Sequence, residues 1–449
     1  MMRRLPSRIN IVRIMVASFL AIVAARGQTP PVLTLDDAVA LALKGNSEVQ
    51  RAALEVKRAQ EGTAATKTNR LPQFKTYMLG GEALRRMSFS IPAGSMGTYP
   101  ATGPIPSENA NITTPRKFTA FLMGQASQPL SDLWKVHLSV ISFRISEDLA
   151  NERLRQQRQD TAQSVRDLYY QIAQTQSQVE SAEAMEKYLV ALQGETDRNL
   201  VAQVALKGDS LAVRAKVSQQ RYQLLNLRDT FQTQKESLNR LLGRDLGTDF
   251  SVEIQPLPQA DEIEISAAHE LALQQRPEIQ QARLQTKQAE TEVRRQRAEY
   301  IPDVSASFLY ATFPNVSFAP QNVMTAGLVI EWQPFDWGQK RHKTESLRYA
   351  AKQASITERD AKQHVLLDVN AKFRALAESR VLLDTSALAQ EAEREKLRVV
   401  TNRYGEKAAL LSEVLQQEGA VAQANSDYQK ALAAFWTAKA SFDRALGRE

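Results

Sequence analysis

The sequence predicts a mostly α-helical, internally duplicated protein with a small β part built from strands of the transmembrane-barrel type. Three observations predict it. Residues 33–72 and 263–302 align without a gap at an offset of 230, superimposing Ala38, Leu41, Ala42, Leu43, Glu48, Gln50, Ala52, Leu54, Lys57, Ala59 and Pro72 on identical residues. Two pairs of short runs alternate apolar with polar side chains. Each pair is followed by very long charged stretches with helical periodicity.

In chain order, the first element is an expected secretory signal over residues 1–27. Arg3, Arg4, Arg8 and Arg13 precede the apolar run IMVASFLAIVAA, and Ala25-Arg26-Gly27 offers a small-x-small cleavage site. An uncleaved anchor competes with this reading, but the run is about a dozen residues where a helical span needs about 20. The mature chain then starts near Gln28. Cysteine is absent, which excludes disulfides, thiolate metal ligands and a lipidated N-terminal Cys. The net charge of +7 includes the five arginines of the expected signal, Arg26 among them. The other basic residues interleave with acids, as in RQQRQD and TERDAK, so a solvated helix surface is expected rather than a nucleic-acid patch.

The two repeats are expected at 28–244 and 263–449, joined by a linker at 245–262. Further landmarks support them: Gln128-Pro129 matches Gln333-Pro334 at offset 205, and NRLLGRD at 239–245 matches DRALGRE at 443–449 at offset 204. The fall from 230 to 205 places an insertion of 25 residues in the first copy. SFSIPAGSMGTYPATGPIPSENANITT supplies it and reads as an exposed loop. Each repeat opens with a short helix, capped in the first copy by Thr34 with Asp37 and broken at Gly45-Asn46. Ser47, or Pro277 in the copy, then starts a second helix. That helix ends at Leu71-Pro72 or Ile301-Pro302, because proline cannot donate into a helix and pushes its predecessor towards extended backbone.

Strands are expected at 73–83, 116–128, 303–313 and 322–333. Val304, Ala306, Phe308 and Tyr310 share one face opposite Ser305 and Ser307; Met324, Ala326, Leu328, Ile330 and Trp332 share a face opposite Thr325 and Glu331. Phe118, Phe121 and Leu122 leave the second strand ambiguous. Runs of about 10 residues with this pattern suit a barrel wall in lipid. Four strands cannot close a barrel, which takes about eight, so the chain is expected to oligomerise. The helical stretches run from about 132 to 200, 209 to 243, 340 to 402 and 409 to 446. The first of them, at ~1.5 Å per residue, reaches roughly 100 Å. Ala and Leu recur at three- and four-residue spacing in LAVRAKVSQQRYQLLNLRDTFQTQKESLNRLL, the pattern of coiled-coil packing. Helices 47–70 and 209–243 are short enough to stack end to end and match one long helix.

Taken in order, LTLDDAVALALKGNSEV and ISAAHELALQQRPEI, LPQF and IPDV, QPLSDLWK and QPFDWGQKR, and the two closing Leu-Gly turns resemble TolC-type outer-membrane efflux proteins over the whole mature chain. The resemblance implies a homotrimer in the outer-membrane lipid. Its twelve strands, four per chain, form one β-barrel, continued by a long periplasmic coiled-coil α-helical tunnel. It implies a periplasmic adaptor and an inner-membrane pump or ABC exporter as partners, and passive export of small toxic compounds. Export of secreted proteins is the alternative within the family. A soluble periplasmic coiled-coil scaffold is the alternative outside it, and it leaves the alternating strands unexplained.

The resemblance also assigns the hairpin tips. In the first, Gln203 stands at the family's glycine, with Gly208 close by, and Asp209-Ser210-Leu211 stands at its Asp-Val-Leu. In the second, Tyr404 stands at the family's tyrosine, Lys407 at its glycine with Gly405 nearby, Glu413 at its acid, and Gln416 at a second acid. These residues are expected to dock the adaptor (Gln203, Gly208, Asp209, Gly405, Lys407) or line the periplasmic aperture (Tyr404, Glu413, Gln416). Glu413 equally fits a helix-start residue favouring the dipole. By alternation Lys75 and Glu331 face the barrel lumen, and Trp332 and Trp337 sit where an interfacial aromatic belt belongs. His137, His269, His342 and His364 are scattered, and no nucleophile elbow or phosphate loop occurs. No catalytic, cofactor or metal site is expected.

Overall fold

The computed structural model describes residues 31–82, 84–85, 88–113, 118–203, 206–253, 263–313, 320–406 and 408–448. The expected signal peptide, part of the linker and Lys407 lie outside these residues. The first repeat contains β1 (Val32–Leu33), α1 (Leu35–Gly45), α2 (Ser47–Thr68), β2 (Gln73–Glu82), β3 (Ser88–Ile91), β4 (Thr98–Tyr99), β5 (Gly103–Pro104), β6 (Ala110–Thr113), β7 (Phe118–Pro129), α3 (Asp132–Val201) and α4 (Lys207–Leu242). After β8 (Ser251–Val252), the order returns as α5 (Ile265–Gln275), α6 (Pro277–Ala298), β9 (Asp303–Thr312), β10 (Asn322–Glu331), α7 (Gln339–Gly405) and α8 (Leu411–Ala445). Equivalent elements match in length: 11 and 11 residues for α1 and α5, 22 and 22 for α2 and α6, 70 and 67 for α3 and α7, 36 and 35 for α4 and α8. Among the described residues no helix is long and apolar enough to cross a membrane.

The insertion is a correction to the expected loop. It is exposed, but β3 pairs antiparallel with β6 and β4 with β5, making a short-stranded arm. The helices beside the reversals also extend further than expected, so Gly208 and Gly405 lie inside α4 and α7.

The chain forms two compact units, and each draws on both repeats. One holds Glu55–Asn151 and Gln281–Glu358, and its centre is a four-stranded antiparallel sheet in the order β10-β9-β7-β2. Register decides the faces. Phe74 lies opposite Ala126, which lies opposite Phe308, which lies opposite Ala326. Two rows on, Thr76, Gly124, Tyr310 and Met324 align in the same way. Alternation adds Met78, Leu122, Val304, Leu328 and Ile330 to this face. The opposite face is mixed, carrying Lys75, Gln125, Ser127, Ser307, Thr325 and Glu331 together with Tyr77, Leu79, Met123, Leu309 and Val329. Pairing also resolves the ambiguous strand: Leu122 and Phe118 take the apolar face, while Phe121 turns to the other and packs edge-on against Phe313 at 5.6 Å.

Where α2 ends, Asn69, Arg70 and Leu71 N–H groups bond back three residues, and Pro72 has no N–H to continue the ladder. The Gln128 side chain donates to the freed Arg70 carbonyl at 2.9 Å, so the Gln-Pro motif serves the Leu-Pro motif. The Ser131 hydroxyl, donating to Pro302 O and accepting from Val304 N at 2.7 Å each, pins the start of β9.

The other unit, with residues up to Leu54, Glu152–Gln280 and Arg359 onwards, is helical. Ala38 and Ala42 in α1, and Ala268 and Ala272 in α5, are completely buried. Their small side chains let each short helix press against its long neighbours. The first pair joins a core of Val165, Tyr169, Ile172, Leu238 and Leu242; the second joins Val365, Val369, Phe442 and Leu446. β1 and β8 pair in parallel, and Tyr169 ties them by donating to Leu33 O at 2.8 Å and accepting from Glu253 N at 3.2 Å.

Candidate hairpin tips and pore wall

The two hairpin tips share one construction. Asp209 accepts from Leu206 N at 3.2 Å and Glu413 from Leu410 N at 3.5 Å, each acid closing the first turn of its helix. The two acids and the two leucines are both separated by 204, the offset of the closing Leu-Gly turns. Glu413 therefore does act at a helix start, and it remains exposed there, as do Gln416 three residues on and Tyr404 in the last turn of α7. Among the described residues no hydrogen bond joins Tyr404, Glu413 and Gln416 to one another.

Gln203 explains why glycine suits its position: its φ is 60°, the left-handed region that a side chain disfavours. The adjacent helices are clasped by residues that the sequence pattern did not single out. In the first hairpin Ser210 donates to Asp197 at 2.7 Å and Arg214 reaches both Asp197 oxygens at 3.2 Å. Ser210 first, and Arg214 with it, hold the Asp197 carboxyl below its ordinary value. In the second, Gln417 bridges to Glu393 at 2.6 Å and Gln390 to Asn425 at 2.8 Å. Lys396 and then Gln417 hold the Glu393 carboxyl low. Polar residues at long sequence separation carry no local signal for such clasps.

On the sheet, Lys75 stands in one row with Gln125, Leu309 and Thr325, and Glu331 pairs with Asp303. Both belong to the mixed face. At the sheet's helix end Lys135 pairs with Asp303 and lies 3.7 Å from Glu299 and 3.8 Å from Asp132. Burial first, then the hydrogen bond and charge of Asp303, raise the Asp132 carboxyl to about 6. Trp332 and Trp337 lie just past β10 and are exposed.

Among the described residues, a four-stranded sheet largely apolar on one face, with unpaired edge strands and continuous in sequence with long helical hairpins, has the build of a barrel-wall segment. The chain belongs to the outer membrane efflux protein family, whose model matches residues 38–244 and 268–448. Solved channels share the fold. The CmeC outer membrane channel of Campylobacter jejuni has a TM-score of 0.75 at 14% identity, covering 92% of this chain and 85% of that one. The outer membrane protein VceC of Vibrio cholerae gives 0.70 at 17%, covering 92% and 96%. The open-state MtrE outer membrane channel of Neisseria gonorrhoeae gives 0.68 at 16%, covering 92% and 89%. No curated protein matches the chain in sequence.

Proposed function

We propose that three copies of this chain form the exit duct of a tripartite efflux system, passing small toxic compounds from a periplasmic adaptor and an inner-membrane pump or ABC exporter to the outside. The observation that carries this reading is the sheet: four strands, one face rich in apolar side chains, and, among the described residues, unpaired edges at β2 and β10. Unpaired strand edges cannot stand in lipid, and four strands cannot close. Pairing β2 of one copy with β10 of the next closes twelve strands with the mixed face inward, which puts Lys75 and Glu331 on the lumen.

The tips then form the periplasmic mouth. Gln203, Gly208, Asp209, Gly405 and Lys407 dock the adaptor. Three copies of Glu413, with Gln416 beside them, attract cations at a constriction that Tyr404 helps to hold closed. The duct is tested by fractionating the envelope and measuring the detergent-solubilised mass and its conductance in planar bilayers. A trimer of about 150 kDa (three chains of 50.2 kDa) that conducts is the expected result; a periplasmic monomer that needs no detergent rejects the reading. Glu413→Gln should lower cation preference in the same bilayers, and an unchanged preference removes Glu413 from the constriction.

A further inference from the structure

Both edges of the sheet are bare in the single chain. All ten residues of β2 and nine of the ten of β10 are exposed, against one of ten in the inner strand β9. Unpaired edges of equal length are templates for strand addition, and each carries a feature that its own chain leaves unmatched. Gly327 of β10 has open space where a Cβ would stand, and a glycine weakens a strand unless a neighbouring side chain covers it. The sheet shows such a cover at another position, where the Phe118 ring of β7 lies over Gly80 of β2. Glu331, the last residue of β10, stands directly opposite Asp303 on the same face, an unfavourable like-charge pair. Lys135 pairs with Asp303, and Glu331 has no cation partner among the described residues. Lys75 of β2, on the same face, also has no ion-pair partner among them.

Geometry fixes how the two edges meet. One row of paired residues runs Gln73, Ser127, Ser307, Gly327. Carried straight on into the next copy, it would set Gly327 against Gln73 again; only Gln73–Met78 and Asn322–Gly327 would overlap, and the strands would lack the tilt that closure requires. The seam must therefore be staggered, and by an even step, because a shift of one residue turns every side chain to the other face. The sheet already steps in one direction: Pro129 pairs with Ser305 and Asp303 with Glu331, both beyond the start of β2 on the helix side. Continuing that step sets Gly327 against Tyr77 and overlaps the two edges from end to end, with Gln73 opposite Glu331 and Glu82 opposite Asn322. Repeated at three seams, this stagger gives a strand tilt of about 35°.

We propose that β10 of each copy pairs in this register with β2 of the next, so that Tyr77 covers Gly327 and Lys75, on the diagonal, reaches Glu331 across the seam. The proposal rests on the trimeric-barrel reading above. Charge complementarity and the glycine gap select a second copy of this chain as the occupant of the edge. Directly opposite side chains stand about 5 Å apart and diagonal ones about 7–8 Å, within the reach of lysine. Backbone pairing alone specifies register weakly; the ring over the glycine and the ion pair specify it here.

Because the chain has no cysteine, introduced pairs read the register directly. Purified in detergent and oxidised, Y77C/G327C should run as a covalent trimer on a denaturing gel without reductant, with several-fold more cross-linking than Y77C/T325C or Y77C/V329C, whose partners lie one diagonal step away. Strongest cross-linking in either of those two would overturn the register. K75E should lower the temperature at which the cysteine-free trimer dissociates, and K75E/E331K should recover most of that loss; a swap variant no more stable than K75E would overturn the ion pair. Failure of the barrel reading looks different: the cysteine-free chain would run as a monomer without detergent, and none of the pairs would cross-link.

Discussion

The two joints at which a short helix turns into the next solve one geometric problem with different chemistry. In the first repeat Gly45 and Gly243 meet backbone to backbone. A Cβ on Gly243 would lie 2.2 Å from Gly45 O, and one on Gly45 would lie 2.4 Å from Leu242 O. In the second, the space about Gly447 is looser, with Gln275 C at 2.9 Å and Arg276 N at 3.1 Å. Both α4 and α8 end on the same motif, Arg244 N bonding to Asn239 O and Arg448 N to Asp443 O at 3.1 Å each, with Gly243 at φ 71° and Gly447 at φ 85°. The residue between the short helices is 6% exposed in both copies. In the first it is Asn46, a neutral amide that donates to Leu241 O at 3.0 Å and accepts from Glu48 N at 2.8 Å, capping one helix end and one helix start at once. In the second it is Arg276, reaching Glu278 and Asp368 at 3.0 Å, with Arg444 joining Glu278 to Asp160. The duplication therefore preserved the close approach and the need for polar satisfaction, while the means of satisfying them diverged.

Four substitutions at the joints break this comparison in decreasing order, and a fifth at the sheet's helix end sharpens it. Gly243→Ala combines a left-handed backbone with a backbone overlap that no side chain can relieve, and should cost about 4 kcal/mol, seen as loss of outer-membrane protein and of heat-stable helical circular dichroism. Arg276→Met leaves Glu278 and Asp368 without their shared cation; with both acids partly solvated the cost should be about 3 kcal/mol, measured as a lower unfolding midpoint. Gly447→Ala should cost about 2–3 kcal/mol, less than Gly243→Ala; equal losses would mean that left-handed backbone, not the approach distance, governs both joints. Asn46→Ala removes a cap and should cost about 2 kcal/mol, which added salt should leave unchanged, whereas the Arg276 effect should shrink in salt.

The smallest effect is expected at Asp132, which the offset of 205 relates to Trp337. Its carboxyl is raised from 3.8 to about 6, so the folded state binds the proton more tightly than the unfolded one. Stability contributed by this group is present below about 4 and falls as pH rises towards 6. Asp132→Asn should flatten the stability profile across that window and slightly raise the unfolding midpoint at pH 7; an unchanged profile would show that Lys135 already neutralises the pair.

Most of the architecture was legible because it rests on local physics. The helix stops at Leu71-Pro72 and Ile301-Pro302 follow from the missing amide hydrogen, and the Leu-Gly closures from the conformational freedom of glycine. Alternation in β9 and β10 follows from the period of a strand. Offsets of 230 before the insertion and 205 to 204 after it then transfer each reading from one repeat to the other. Three matters only the tertiary structure decided. Cross-strand register assigned Phe121 to the mixed face and made an arm of the insertion, because pairing depends on residues far apart in sequence. The left-handed backbone at Gln203 and Trp337 runs against local preference and exists only where surrounding contacts over-determine it. The divergence of Asn46 and Arg276 carries meaning only once Leu241, Glu278 and Asp368 are brought around them. Local sequence specified where each element begins and ends; which side chains satisfy one another was settled by packing, because hydrogen bonds and charges are paired through space and not along the chain.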